Sequence, residues 1–181
     1  MKITGVQLPD GTRTDLYIEN GVFAGEASTG STSLDGDGLL ALPGLVDLHT
    51  HLREPGFEQS ETILTGSRAA AIGGYTAVFA MANTLPVQDT AGVVEQVQAL
   101  GRQHGYVTVR PIGAVTAGLA GEKLSEIGAM AQSRAQVRVF SDDGHCVHDA
   151  LLMRRALEYV TTLAGWSPSM RRNRGSPKEP R

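Results

Sequence analysis

Two histidines separated by a single residue, His49 and His51, are the side chains of this sequence best suited to chemistry. They close the run Leu-Val-Asp-Leu-His-Thr-His (45–51), which is typical of a short buried strand that leads into a loop. Because alternate side chains of a strand point to the same face, both imidazoles can reach one metal ion. The spacing therefore predicts half of a metal site, although two polar residues at the rim of a sheet would share it.

A pair of carboxylates, Asp142 and Asp143, follows a later apolar run in the segment Ser-Asp-Asp-Gly-His (141–145). Two acidic residues before a glycine can form a turn that enters a helix, or they can supply a metal-binding oxygen. Imidazole nitrogens and a carboxylate oxygen together suit Zn²⁺. The residues alone leave both interpretations open.

The elements that must position these side chains alternate between strand and helix from residue 45 onward. Beyond the histidine strand, the pattern predicts four helices: 62–72, a second from a cap at Asp89 or Thr90 to about 102, 125–133 and 150–163. It also predicts three further strands: 76–81, 106–112 and 137–140. Continuous apolar strands separated by helices indicate an α/β fold with a parallel sheet. Residues 1–43 instead predict a small all-β segment with turns at Asp10-Gly11 and Asn20-Gly21.

Size and composition point to a globular protein. The chain has 181 residues and 41% hydrophobic content, without the roughly 18 consecutive apolar residues of a membrane span. The single cysteine, Cys146, and a start without a signal-peptide pattern favour the cytoplasm. The net charge of −3 divides into −7 for residues 1–165 and +4 for residues 166–181. That basic tail lacks interleaved aromatic residues and periodicity, so no nucleic-acid partner is expected.

One longer segment resembles a known family. Residues 43–56, Pro-Gly-Leu-Val-Asp-Leu-His-Thr-His-Leu-Arg-Glu-Pro-Gly, are similar to the first-strand signature of the amidohydrolase superfamily. The closing Arg-Glu-Pro-Gly and the later Met-Ala-Asn-Thr-Leu-Pro (81–86) resemble dihydroorotases of the long-chain bacterial type. The resemblance implies the first four βα units of a (β/α)₈ TIM barrel over residues 44–164 and part of a small β-sandwich over residues 1–43. Residues 165–181 depart from the family and are expected to be disordered.

The resemblance also implies a function. It indicates a zinc-dependent cyclic amide hydrolase, a dihydroorotase that interconverts N-carbamoyl-L-aspartate and dihydroorotate in pyrimidine biosynthesis, with two Zn²⁺ per site in complete relatives. It assigns the metal to His49, His51 and Asp143, with the preceding aspartate as the fallback, and the substrate to His51, Arg53 and Asn83. The fourth strand lacks a lysine, which disfavours the hydantoinases and allantoinases of the same superfamily. A non-catalytic scaffold for aspartate transcarbamoylase is an alternative of a different class.

Other polar side chains near these motifs have weaker expected roles. Asp47, two residues before the first histidine, is expected to orient a metal ligand. Arg53 lies on the side of the histidines if the strand geometry continues, where its guanidinium can pair with a carboxylate through two hydrogen bonds. Asn83 is a substrate contact under the resemblance and a turn residue without it. The other histidines are expected at the surface (His104 and His148) or near the fourth-strand loop (His145).

The resemblance ends after about residue 164. Complete relatives supply two further histidines and a proton-transferring aspartate from later strands, so no catalytic residue is assigned here. We therefore expect weak metal affinity, self-association through unpaired strand edges and little or no turnover. With suitable codons, residues 166–180 read in the neighbouring frame resemble the family's strand-five segment, which predicts a frameshift near codons 160–166.

Overall fold

The computed structural model describes residues 1–26 and 30–164. The chain divides into two compact units, Met1–Gly44 and the residues from Leu45 onward. The segment 165–181, predicted as a basic and disordered tail, lies outside the described residues. None of the helices in the described part is both long enough and apolar enough to cross a membrane.

The first unit is a four-stranded sheet. Its strands are β1 (Lys2–Gln7), β2 (Arg13–Glu19), β3 (Val22–Ala24) and β4 (Ser33–Asp35). They lie in the order β3-β2-β1-β4, with β4 parallel to β1 and the other two pairs antiparallel. Asn20 and Gly21, between β2 and β3, both have positive φ angles, 51° and 78°. A two-residue turn between twisted strands requires that conformation, which is why Asn-Gly predicted a hairpin here.

The second unit alternates strands and helices along the chain. In order, its elements are β5 (Leu45–Thr50), α1 (Ile63–Ile72), β6 (Tyr75–Ala80), α2 (Ala91–His104), β7 (Thr108–Pro111), α3 (Ile127–Gln132) and α4 (Ala150–Ala164). The three strands form a parallel sheet in the order β5-β6-β7, which confirms the predicted α/β organisation. Because parallel strands end at the same edge, the loops after β5 and β6 leave on one side of the sheet.

Helix α1 begins and ends where its sequence predicts. The Thr62 hydroxyl accepts a hydrogen bond from the backbone N–H of Thr65, whose own hydroxyl accepts one from the Thr62 backbone. At the other end, Gly74 has a φ of 82°, which a glycine adopts without steric cost. The Glu54 carboxylate also accepts from the Ile63 N–H at 2.8 Å, so the loop after β5 is tied to the start of α1.

The main core lies between the sheet and its helices. Its buried members come from β6, β7, α1, α2 and the loop after β5: Leu52, Ile63, Val78, Ala80, Val97 and Val109. Burial of these aliphatic side chains supplies the main driving force for folding this unit. Leu52, the residue directly after His51, is therefore anchored in that core.

The predicted fourth strand, over residues 137–140, is wrong in extent. The structure has a single parallel bridge there, between Gly113 and Phe140. Pro111, at the end of β7, has no N–H to offer a neighbouring strand. The Val137 N–H donates to the Met130 carbonyl in α3, and the Val137 carbonyl accepts from the Arg138 side chain. The one bridge still brings the following residues, which include both aspartates, next to the end of β7.

Candidate metal centre

The two histidines lie at the carboxyl end of β5. His49 is in the strand, and His51 is the first residue after it. Their ring centroids are 5.2 Å apart, with the ring planes at 71°. The residue between them, Thr50, accepts from the Met81 N–H at 2.8 Å and donates its hydroxyl to the Phe79 carbonyl at 2.9 Å. Both histidines are therefore carried by backbone that is hydrogen-bonded to β6 and the residue after it.

Asp143 approaches both imidazoles. Its Oδ1 lies 3.3 Å from His49 Nε2, and its Oδ2 lies 3.5 Å from His51 Nε2. One ligand atom from each of the three side chains can be chosen so that all lie within 4.8 Å of one another. The His49 side chain is 54% exposed and that of Asp143 only 26%, so the cluster is open to solvent on the His49 side.

This donor set fits a zinc ion. Ligand atoms about 2.1 Å from a tetrahedral zinc lie about 3.4 Å from one another. The distances of 3.3 and 3.5 Å, from the two imidazole nitrogens to different oxygens of the Asp143 carboxylate, are close to that separation. Two neutral imidazole nitrogens and a carboxylate oxygen are also the ligand types that zinc accepts. The cluster therefore offers three suitable ligand atoms for a divalent cation.

Asp142 has a different environment from its neighbour. Its Oδ1 accepts from the backbone N–H groups of Val115 and Thr116 at 2.7 and 3.1 Å, and its Oδ2 accepts from the Thr116 hydroxyl. Charge-assisted hydrogen bonds of this kind hold a carboxylate firmly. The two successive carboxylates therefore differ: Asp142 braces the loop after β7, and Asp143 meets the histidines.

Asn83 lies against the other side of His51. Its Oδ1 is 3.1 Å from His51 Nδ1, while His51 Nε2 is the ring nitrogen nearer to Asp143. Asn83 follows β6, so the loops after two neighbouring strands meet at His51. The structure thus brings together four of the residues singled out in the sequence: His49, His51, Asn83 and Asp143.

Arg53 is positioned by a turn and not by strand alternation. The strand β5 ends at Thr50, and Arg53 has a φ of 60° in a turn closed by a 2.9 Å hydrogen bond from the Phe57 N–H to its carbonyl. Because the strand does not continue to Arg53, strand alternation does not place this residue on the side of the histidines. Its contact with a substrate stays a prediction that rests on the resemblance.

The remaining polar residues contact the cluster indirectly or lie apart from it. The Asp47 carboxylate accepts from the backbone N–H of His49 at 2.9 Å, so it steadies the main chain of that residue. Within residues 1–26 and 30–164, a single group of three or more metal-ligating side chains is found, His49 with His51 and Asp143. Three exposed histidines lie outside that group: His104, His145 and His148.

Sequence reasoning missed two supports of the site. One is Thr116, which binds Asp142 from 26 residues away. The other is the close approach of Gly56 to Leu85, which joins the loops after β5 and β6. Neither has a signal in local spacing, because the partners are far apart in the sequence and meet only in the folded chain.

Comparison with known proteins gives consistent results. The model of the family described as "Dihydro-orotase-like" matches residues 38–165. The chain is 69% identical over 167 residues to the dihydroorotase of Leifsonia xyli subsp. xyli, covering 90% of this chain and 38% of that protein. It is 60% identical to the dihydroorotase of Streptomyces coelicolor, covering 90% and 39%. The chain thus spans less than two fifths of the length of these curated relatives.

Solved structures with a similar fold include two hydantoinases. The L-hydantoinase of Arthrobacter aurescens superposes with a TM-score of 0.71 at 22% identity, covering 90% of this chain and 38% of that one. The D-hydantoinase of Bacillus sp. AR9 gives 0.66 at 18% identity, covering 90% and 37%. At these identities the likeness concerns the fold alone.

Proposed function

The chain belongs to the dihydro-orotase-like family, and from that premise we propose that it carries part of the zinc site of a dihydroorotase. Such an enzyme interconverts N-carbamoyl-L-aspartate and (S)-dihydroorotate in pyrimidine biosynthesis. The observation that carries the proposal is the approach of Asp143, which follows the bridge beside β7, to both His49 and His51 at the end of β5. Because the chain spans 38% of the length of the Leifsonia xyli dihydroorotase, the activity is proposed for the whole protein and not for these residues alone.

We propose a specific role for each side chain. His49, His51 and Asp143 would hold the zinc ion, and Arg53 and Asn83 would bind the substrate carboxylate, with His51 beside it. Bound there, zinc would lower the pKa of a bound water to about 7 and would act as a Lewis acid. The guanidinium of Arg53 and the amide N–H groups of Asn83 are donors suited to a carboxylate. The acid–base group would come from the part of the whole protein that this chain does not match.

The proposal extends to the fold and the compartment. The sheet β5-β6-β7 and its helices would form part of the first half of a (β/α)₈ barrel over residues 44–164, and residues 1–43 part of a β-sandwich. The lone cysteine, Cys146, suits a reducing compartment, so the proposed location is the cytoplasm.

A chimera tests the activity. Residues 1–164 would replace the matching part of the Streptomyces coelicolor dihydroorotase, which is 60% identical to this chain. We expect the purified chimera to hydrolyse dihydroorotate in a zinc-dependent manner, and the His49→Ala chimera to lose that activity while a His104→Ala control keeps it. A chimera that folds and binds zinc but leaves dihydroorotate unchanged would refute the proposal.

The same chimera separates the alternatives. Turnover of hydantoin or allantoin in place of dihydroorotate would indicate the hydantoinase or allantoinase class. The three clustered ligands favour a catalytic lineage over a non-catalytic scaffold for aspartate transcarbamoylase. Copurification with that transcarbamoylase by a chimera without zinc-dependent turnover would support the scaffold instead.

A further inference from the structure

We propose that Asn83 is a positioning residue for the metal site, because its side-chain carbonyl holds His51 in the tautomer that leaves Nε2 free to bind the ion. This inference rests on the proposed zinc site and adds a residue that acts on the metal through a ligand. It gives Asn83 a role that is separate from any contact with substrate.

The two ring nitrogens of His51 face different partners. Nδ1 lies 3.1 Å from Asn83 Oδ1, and Nε2 lies 3.5 Å from Asp143 Oδ2. A neutral imidazole has one N–H group and one lone pair. If the lone pair of Nε2 is to bind a metal, the hydrogen must be on Nδ1, and the group that meets Nδ1 must be an acceptor. Only the carbonyl end of the Asn83 amide can accept, so the tautomer and the amide orientation determine each other.

The backbone around Asn83 is braced from its own loop. The preceding residue, Ala82, is fully buried, and its carbonyl accepts from the N–H groups of Thr84 and Gln88 at 2.9 and 3.1 Å. The fully buried side chain of Gln88 donates to the Met81 carbonyl at 2.6 Å. Asn83 therefore projects from a short segment whose main chain is fixed on both sides.

A second brace comes from the loop after β5. The Leu85 N–H donates to the Pro55 carbonyl at 2.9 Å. A Cβ at Gly56 would lie 2.3 Å from the Leu85 carbonyl oxygen, and Gly56 has a φ of 102°. Only glycine permits such a close approach of the two loops. The loop that carries Arg53 and the loop that carries Asn83 are consequently held together.

This arrangement links the metal ligand to the proposed substrate contact. With the Asn83 carbonyl committed to His51, the N–H groups of the same amide remain as donors for an anion. One side chain would thus connect the zinc ligand with the carboxylate of dihydroorotate. Substitutions that keep the acceptor but remove the donors should separate the two roles.

The first arm of the test requires no zinc. In ¹⁵N-histidine-labelled chain with Asp143→Ala, which removes the carboxylate beside Nε2, long-range ¹H–¹⁵N spectra near pH 8.5 report the tautomer of neutral imidazoles. A His51→Gln sample assigns the signals. We expect the hydrogen of His51 on Nδ1, a shift towards Nε2 when Asn83→Leu is added, and no such shift with Asn83→Asp, which keeps an acceptor. A hydrogen on Nε2 in the Asp143→Ala chain, or no change with Asn83→Leu, would overturn the inference.

The second arm uses zinc-loaded chain. Loss of a hydrogen-bond partner behind a metal-ligating histidine typically weakens metal binding about 10- to 100-fold. We expect that loss for Asn83→Leu, with most of the affinity kept in Asn83→Asp, and faster solvent exchange of the His51 Nδ1 proton in the leucine variant alone. The Nδ1 proton of His49 is the internal reference and should not change. Equal zinc affinities for the parent chain and a folded Asn83→Leu variant would contradict the inference.

The two arms keep the proposals distinguishable. If the parent chain binds no zinc, the proposed function fails, whereas the tautomer measured in the zinc-free arm still decides whether Asn83 controls His51. If zinc binds but Asn83→Leu leaves both the tautomer and the affinity unchanged, the function stands and the role of Asn83 is refuted.

Discussion

Adjacent carboxylates with different partners are the clearest feature at the scale of single residues. Asp142 accepts three hydrogen bonds from the loop after β7, and Asp143 faces two imidazoles. The spacing of His49 and His51 on a strand was enough to predict that both could reach one ion. The choice of Asp143 came from the resemblance, because Asp-Asp-Gly has no local property that separates its two acids. The contact of Asn83 with His51 could not be predicted, since the two residues are 32 positions apart.

The same substitution at the two aspartates should affect different properties, zinc affinity at Asp143 and stability at Asp142. We expect Asp143→Asn to weaken zinc binding by more than about 100-fold, since a lost ligand costs more than a lost supporting contact, and to change stability little. We expect Asp142→Asn to lower the free energy of unfolding by about 1–3 kcal/mol, because charge-assisted hydrogen bonds are lost. Zinc titration and urea unfolding of both variants provide the measurements. A larger loss of zinc affinity in the Asp142 variant would reverse the assignment.

At the scale of elements, local signals predicted the helices better than the last strand. The ends of helix α1 could be predicted from the sequence because Thr62 and Gly73 form capping hydrogen bonds with residues no more than about four positions away. The predicted strand over residues 137–140 failed because strand formation requires a partner with available backbone groups. Pro111 lacks an N–H, and the Val137 groups are hydrogen-bonded elsewhere. Apolar content alone carries no information about those partners.

The joined loops after β5 and β6 make a prediction at this scale. Gly56→Ala places a methyl group 2.3 Å from the Leu85 carbonyl oxygen at a φ that alanine rarely adopts. The conformational strain alone should destabilise the fold by about 1–3 kcal/mol. The matched control is Gly92→Ala in α2, where a Cβ meets nothing within 4 Å and the change should be neutral or stabilising by about 0.5–1 kcal/mol. Urea unfolding compares the two, and equal stabilities would show that the loops do not depend on Gly56.

At the scale of the whole molecule, the cluster predicts that zinc binding and stability are linked. Asp143 is far along the sequence from His49 and His51, so an unfolded chain does not preserve the site. A ligand that binds only the folded state at about 100 times its Kd adds about 2.7 kcal/mol to the free energy of unfolding. We expect thermal unfolding to shift upward with zinc and to return with a chelator. An equal shift in the Asp143→Asn variant would assign the stabilisation to zinc bound elsewhere.

The exposed strand β5 makes a second prediction at this scale. Among the described residues, β5 pairs with β6 on one side only, and Leu48 in β5 is 62% exposed. Edge strands with exposed apolar side chains favour association between copies. We expect concentration-dependent association in sedimentation velocity that Leu48→Lys reduces. Ile72→Lys, at an exposed apolar residue in α1, is the control and should leave association unchanged. Equal association of both variants would exclude β5 as the contact.

A zinc ion bound by His49, His51 and Asp143 underlies the proposed function. Anomalous diffraction at the zinc edge from crystals of the zinc-loaded chain measures this directly. We expect one strong peak with two imidazole Nε2 atoms and an Asp143 carboxylate oxygen at about 2.0–2.2 Å. A zinc ion bound only by other side chains, or no anomalous peak between these three, would refute the proposed metal site.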